Sequence, residues 1–273
     1  MKNRILIVFL LFLSTRSMAQ QSLSFAIVPQ QSATQLAKLW TPIIEELSEK
    51  SGLNIYFATA PDIPTFEKRL AEGKYDIAYM NPYHYVVYNK SIGYKALAKA
   101  RDKQIKGIIV VPKSSQVMRL SDLQNSSLAF PAPAAFAATI LTQAGLSARK
   151  IAFTPHYVSS HDSVYRSVAK GIFPAGGGIV RTFNKIAPEI RSQLRVLWTS
   201  KGYTPHAIAA HPRVKPHNAR KLQQALVTMD QYPAGKQLLE KIRIKGFENA
   251  VNSDWNDIRA LQLQQLSENK SEP

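Results

Sequence analysis

The sequence contains no cysteine, and its acidic residues are outnumbered almost two to one by basic ones. The absence of cysteine excludes disulfides, metal–thiolate sites and thiol catalysis. With 35 Lys and Arg against 18 Asp and Glu, the formal net charge is +17. A positive field of this size favours anionic partners and raises their association rates.

Long apolar runs are also missing after the first residues of the chain. Ile5 to Leu13 is an unbroken apolar run, but it is too short to span a bilayer, which takes about 20 residues. It follows Lys2 and Arg4 and precedes the small residues of Ser17-Met18-Ala19, the pattern of a secretory signal peptide. A buried N-terminal helix is the alternative interpretation.

We therefore expect residues 1–19 to be a signal peptide cleaved after Ala19, which gives a periplasmic protein. No lipobox cysteine is present for a lipid anchor, and we expect no membrane insertion of the mature chain. Export argues against nucleic acid as the anionic partner, and the basic residues form no aromatic-interleaved stripe.

Apolar segments with strand and helix patterns alternate along the rest of the chain, which predicts an α/β fold with mostly parallel sheets. Two successive units joined by extended segments predict two lobes with two crossing strands, near Ile108–Pro112 and Tyr203–His211. We assign residues 20–110 and 206–273 to lobe 1 and residues 111–205 to lobe 2. Ligands of open α/β sheets bind at the carboxyl ends of strands, so the expected site is the cleft between the lobes.

The segment Asp76 to Tyr85 is the most informative stretch. It predicts a strand that stops at Met80 and a helix that begins at Pro82, because proline suits the first helical position. Asn81 is then the N-cap. The helix start, flanked by Tyr79, Tyr83 and His84, could hold an anion. A well-made turn without a ligand is the alternative.

Three further strand ends are expected to face the cleft. The loop at 29–34 offers Gln31, although Ser32 there could simply be an N-cap. The turn at 130–139 leads into a helix expected to end at Gly145, and its alanines allow close approach to the backbone. His161, at the entry of the next helix, could donate to an oxyanion. Gly176–Gly178 would let the backbone closely approach a ligand or the other lobe, and Tyr203 and His206 would close over the cleft.

Motifs of catalysis are missing. The chain has no G-x-S-x-G, H-E-x-x-H or P-loop sequence, and no spacing supports a base–nucleophile pair or a metal site. We predict that the protein is not an enzyme and that it has no cofactor and no metal.

These loops carry a resemblance to a known family. The chain resembles the periplasmic phosphate/phosphite/phosphonate-binding proteins of ABC uptake systems at Trp40-Thr41-Pro42, Tyr75–Tyr79, the Phe130 turn and His161–Tyr165. The resemblance implies a type II periplasmic binding protein with two α/β lobes that close on a phosphorus oxyanion. It also implies an ABC permease as partner and no catalytic activity.

The chain departs from that family pattern at the ligand. Where resembling phosphonate binders carry Ser-Thr-Ser, this chain has Ala135, Phe136 and Ala137, and the acids for a ligand amine are replaced near Arg181 and His206. Losing one charge-assisted hydrogen bond costs about 1.5–3 kcal/mol, so an aminoalkyl phosphonate is disfavoured. The predicted ligand-binding residues are Gln31, Tyr79, Asn81, Tyr83, His84, Ala135, Phe136, Ala137, Thr139, His161, Arg181 and Tyr203.

The leading hypothesis is an exported solute-binding protein that captures a small anion, such as phosphate, phosphite or a phosphonate, for an ABC permease. The alternative is a sensory partner that presents its liganded form to the ectodomain of a histidine kinase. An envelope hydrolase is the third hypothesis, which the absent motifs disfavour.

Overall fold

Two β-sheets, one in each lobe, organise residues 22–261, which are the residues that the computed structural model describes. The predicted signal peptide lies outside them. Lobe 1 begins with β1 (Leu23–Ile27), α1 (Ala33–Ser51), β2 (Ile55–Ala58), α2 (Ile63–Ala71), β3 (Ile77–Met80), α3 (Pro82–Ser91) and β4 (Lys95–Ala100).

Lobe 2 follows, and the chain then returns to lobe 1. Lobe 2 contains β5 (Gly107–Pro112), a 3₁₀ turn (Leu120–Leu123), β6 (Ser126–Phe130), a π-helical turn (Phe136–Ile140), α4 (Leu141–Ser147), β7 (Phe153–Tyr157), α5 (His161–Ala169), β8 (Ala175–Ile179), α6 (Val180–Phe183), α7 (Pro188–Arg191) and β9 (Leu194–Thr199). The return to lobe 1 adds β10 (Ala207–Ala210), α8 (Pro216–Thr228), a 3₁₀ turn (Met229–Gln231), α9 (Pro233–Lys241), β11 (Phe247–Asn249), a second 3₁₀ turn (Asn252–Trp255) and α10 (Asn256–Arg259).

Both sheets are mixed, which corrects the prediction of mostly parallel sheets. The lobe 1 sheet has the order β11-β4-β10-β3-β1-β2, with β1 parallel to β2 and β3 and with β10 antiparallel to β3 and β4. The lobe 2 sheet has the order β7-β6-β8-β5-β9, in which β5 is antiparallel to both neighbours. The antiparallel strands β5 and β10 are the ones that directly follow the two crossings.

The two crossing segments meet before β5. Ile105 N donates to Tyr203 O (2.9 Å) and Tyr203 N donates to Ile105 O (3.0 Å). The whole of β5 pairs inside the lobe 2 sheet, so the boundary predicted at residue 110 falls within a strand. The first crossing is therefore earlier than the sequence pattern indicated.

The start of α3 confirms the local prediction. Pro82 is its first residue, and the Oδ1 atom of Asn81 accepts a hydrogen bond from His84 N (2.8 Å). This N-cap satisfies one of the free N–H groups of the helix start.

Two predictions based on glycine are wrong. Helix α4 continues through Gly145 to Ser147, because this glycine makes room for a neighbour: a Cβ there would lie 2.5 Å from the Trp198 ring. Gly176–Gly178 lie inside β8, between β6 and β5. A Cβ at Gly177 would lie 1.9 Å from Ala138 O, so the close approach that this glycine permits is to the π-helical turn of its own lobe, neither to a ligand nor to lobe 1.

The lobes share one buried apolar cluster. It runs from the lobe 1 core into the lobe 2 segment around the π-helical turn, including Ala135, Phe136 and Ile179. Two separate clusters fill the faces of the lobe 2 sheet. Within residues 22–261, no helix combines the length and apolar character that crossing a bilayer requires.

Candidate functional site

The end of β3 places Tyr79 at the interface between the lobes. Tyr79 pairs with Ile208 of β10, so His206, just before β10, reaches the same edge of the sheet. The Tyr79 and His206 rings stack with centroids 4.9 Å apart, and Trp40 lies 4.8 Å from Tyr79. Burial raises the pKa of Tyr79 and lowers the pKa of His206 well below its usual value, so both side chains are neutral at neutral pH.

A bridge of three side chains joins the lobes beside this stack. Arg181, in the first turn of α6, donates to Oε1 of Gln30, which lies in the loop after β1. Nε2 of Gln30 lies 3.1 Å from Nε2 of His206. Because the arginine fixes the amide oxygen as an acceptor, the amide nitrogen donates to His206, whose proton is then on Nδ1.

Asn81 makes a second bridge between the lobes. Its Nδ2 donates to the backbone oxygen of Ala134 (3.0 Å). Nε2 of His84, three residues later, lies 3.1 Å from Nδ2 of Asn81 and 2.8 Å from Oε1 of Glu67 on α2. His84 is therefore held inside lobe 1.

A small closed space, here called the central cavity, lies between these bridges. Its volume is about 10 Å³, which is about the room for one water molecule. Most of its wall is apolar, and the polar side chains are those of Gln30, Asn81 and His161. The remaining lining residues are Val28, Ile63, Ile105, Ala135, Phe136, Ala137, Ala138 and Ile179.

His161 is the buried titratable group of the central cavity. Only 4% of it is exposed, and its Nδ1 has no hydrogen-bond partner among the described residues. Burial, with a smaller effect of the Arg181 charge, lowers the pKa of His161 to about 4. The imidazole is therefore neutral at neutral pH and can serve a ligand as a polar group without charge.

Phe136 takes up the space beside His161. Its ring is fully buried and meets Tyr203 edge-on, with centroids 6.0 Å apart. Thr139, the nearest hydroxyl in this turn, donates to Ala132 O (2.8 Å) and is 1% exposed. Its hydroxyl is therefore engaged by its own turn.

A much larger space, here called the cationic pocket, opens next to the crossing segments. Its volume is about 390 Å³, within the range of small-molecule sites. The described residues that line it include four cations and no acid. The lining residues are Tyr79, Lys103, Gln104, Ile105, Lys106, Ile179, Val180, Arg181, Asn184, Pro205, His206 and Arg243.

The charges in the cationic pocket act on one another. Lys103 is half-buried, and burial together with Arg181, Lys185 and Arg243 lowers its pKa to about 8. Its Nζ donates to the backbone oxygen of Arg243 (2.9 Å). The pKa of Lys185 is lowered by burial and by the same two arginines. Among the described residues, no carboxylate forms an ion pair with the four lining cations, so the pocket concentrates positive charge.

The structure brings most of the predicted ligand-binding residues to the lobe interface. Gln31 lines a small cavity that adjoins both Tyr79 and Arg181, and Tyr203 closes the interface from the crossing segment. Tyr83 packs against the lobe 1 core. Among the described residues, neither Tyr83 nor His84 lines the central cavity or the cationic pocket.

Several polar residues of this interface, among them Gln30, Lys103 and Arg243, are missing from the predicted set. Gln30 stands in a loop that the sequence had already marked as a strand end, next to the predicted Gln31. Lys103 and Arg243 carry no local pattern, since 140 residues separate them and only the return of the chain to lobe 1 joins them. The described residues contain no cluster of three His, Asp or Glu side chains that could hold a metal ion.

Comparison with known proteins places these features in context. The model of a family described as the periplasmic substrate-binding protein of phosphonate ABC transporters matches residues 25–255. The phosphate-import protein PhnD of Mycolicibacterium smegmatis is 21% identical over 237 residues, which covers 74% of this chain and 70% of that protein.

Two solved structures have the same fold. PhnD1 of Prochlorococcus marinus, in complex with methylphosphonate, superposes with a TM-score of 0.80 at 18% identity, covering 88% of this chain and 96% of that one. A binding protein component of an ABC phosphonate transporter from Pseudomonas aeruginosa gives a TM-score of 0.79 at 17% identity, covering 89% and 86%. The predicted fold class is thereby confirmed.

Proposed function

Because the chain belongs to the family of periplasmic substrate-binding proteins of phosphonate ABC transporters, we propose that it captures a small oxyanion between its two lobes and delivers it to an ABC permease. The oxyanion is phosphate, phosphite or a phosphonate. Residues 1–19 are, in this proposal, the signal peptide that directs export to the periplasm.

The observation that carries the proposal is the cationic pocket at the lobe interface. Four cationic side chains and no acid, among the described lining residues, surround a space of about 390 Å³. The pocket lies where Tyr79 of lobe 1 meets Arg181 of lobe 2, so lobe closure would bring donors from both sides onto one ligand. The relatives named above bind or import phosphate or methylphosphonate, which supports the same class of ligand.

Isothermal titration of the mature chain against phosphate, phosphite and methylphosphonate tests the proposal. Binding of at least one of them in the micromolar range or tighter is expected. No measurable binding of any of the three, by protein that is folded by circular dichroism, would remove the phosphorus oxyanion from the proposal.

A sensory role with a histidine kinase is the second candidate, and the central cavity favours it. The buried Phe136 and the engaged Thr139 hydroxyl leave few donors for a phosphorus group there, and a sensor tolerates weaker binding than an uptake system. Co-purification of the liganded protein with a permease or with a kinase ectodomain distinguishes the two.

A further inference from the structure

The cationic pocket holds more positive charge than one small oxyanion neutralises. Lys103, Lys106, Arg181 and Arg243 all line it. A phosphate or phosphonate dianion balances two of these four charges. Two positive charges then lack a counter-charge on the ligand. This is costly at the half-buried cations Lys103 and Arg181, whereas Lys106 and Arg243 are exposed to solvent.

Protein acids do not fill this gap within the described lining. Asp102 and Glu248 line a shallow groove on the outer side of Lys103 and Lys106, and Glu248 is already paired with Lys99 (3.1 Å). The charged groups that shift the pKa of Lys103 are all cations, and two of the pocket's cations, Arg181 and Lys103, also lower the pKa of His206. The positive charge is thus available to a ligand.

The volume of the cationic pocket also favours a ligand larger than one small oxyanion. The cationic pocket, at about 390 Å³, has room for a ligand with two separated head groups, whereas the central cavity has room for about one water molecule. The two spaces share Ile105 and Ile179 as walls. Of these two spaces, only the cationic pocket has room for the full ligand.

Resting on the proposed function, we propose that the cationic pocket selects oxyanions that carry a second negatively charged group, the phosphonocarboxylates being the simplest class. One head group is held by Arg181 and its neighbours. The other is held by Lys103 and Arg243 near the crossing segments. A ligand with an amine at that end is rejected by like charge.

Four probes separate these ideas: methylphosphonate, phosphonoacetate, 2-aminoethylphosphonate and citrate. We expect phosphonoacetate to bind at least tenfold more tightly than methylphosphonate in isothermal titration, and 2-aminoethylphosphonate to bind most weakly. Lys103→Gln is expected to remove the tenfold advantage of phosphonoacetate. Lys170→Gln, an exposed lysine at the end of α5 with the same change in net charge, is the matched control and keeps it.

The outcomes separate this inference from the function on which it rests. If methylphosphonate or 2-aminoethylphosphonate binds as tightly as phosphonoacetate, the inference is overturned while the oxyanion function stands. If citrate binds through Lys103 and no phosphorus compound does, the selection of doubly anionic ligands stands and the phosphorus ligand falls. If none of the four binds, the inference is overturned, and the oxyanion function then stands or falls with the titrations against phosphate and phosphite. The ligand series on the unaltered protein decides these cases even where a variant does not fold.

Discussion

The two spaces at the lobe interface differ in what they contribute. The central cavity is lined by Ala135, Phe136 and other buried apolar side chains of the cluster that the two lobes share. The cationic pocket, one wall away, is lined by four cations and no acid among the described residues. Buried apolar area stabilises a closed interface, whereas uncompensated charge opposes it until an anion arrives. One interface thus combines a part that holds the lobes together and a part that we propose as the ligand site.

Phe136→Ala removes a buried ring from the wall of the central cavity and has the largest expected effect on the unfolding free energy. Truncating a buried phenylalanine costs about 3–5 kcal/mol in unfolding free energy, since packing is lost and a cavity remains. Urea unfolding measures the loss. Phe173→Ala, at a partly exposed phenylalanine, is the control and should cost less. A loss below about 1 kcal/mol at Phe136 would contradict a structural role for its ring.

Acidic pH is expected to destabilise the folded protein through His161, the buried titratable group of the central cavity. Its folded pKa, about 4, lies below the ordinary value of 6.5, so the unfolded chain binds the proton first as the pH falls. The stability that neutral His161 contributes is full above pH 6.5 and is lost toward pH 4. Between pH 7 and pH 5 the loss is about 2 kcal/mol for this group.

His161→Gln should flatten the decrease in unfolding free energy between pH 7 and pH 5. His156→Gln, at an exposed histidine of the same lobe, is the matched control. His206, whose pKa burial also lowers, contributes in the same direction and remains in both variants. If the unfolding free energy of His161→Gln depends on pH as steeply as that of the unaltered protein, the pKa of His161 does not differ between the folded and unfolded states.

The sequence predicts local features of this interface better than distant ones. The N-cap at Asn81 and the start at Pro82 follow from neighbouring residues, and both are confirmed. The prediction that a helix ends at Gly145 is wrong for a tertiary reason. The nearby ring of Trp198, and not a helix end, requires a glycine there. A glycine pattern alone does not tell a helix stop from a close contact.

The same distinction explains the candidate site. Tyr79 and Asn81 end a strand, so the rule that ligands bind at strand ends brings them to the interface. Tyr83 and His84 follow inside a helix, where each residue turns by about 100 degrees, and the sequence does not say which of them faces the cleft. Lys103 and Arg243 meet only through the return of the chain to lobe 1.

Gln30→Ala breaks the bridge between the two spaces. Gln30 accepts from Arg181 and donates to His206, so its loss removes two hydrogen bonds, one of them to a charged group. We expect unfolding free energy to fall by about 1–2 kcal/mol. Gln31→Ala, at the adjacent residue, is the matched control and should cost less than about 0.5 kcal/mol. Equal losses in the two variants would show that the bridge contributes nothing specific.

Lys106→Gln has the smallest expected effect and tests how far the cationic side reaches. Lys106 is exposed, whereas Lys103 is half-buried and fixed to Arg243 O. An exposed ion pair contributes about 0.2–1 kcal/mol, so the Kd for phosphonoacetate should rise less than about fivefold. The change should lie in the association rate and shrink as salt rises. A tenfold rise in Kd at high salt would mean that Lys106 contacts the ligand directly. The proposed ligand site would then extend to the rim of the cationic pocket.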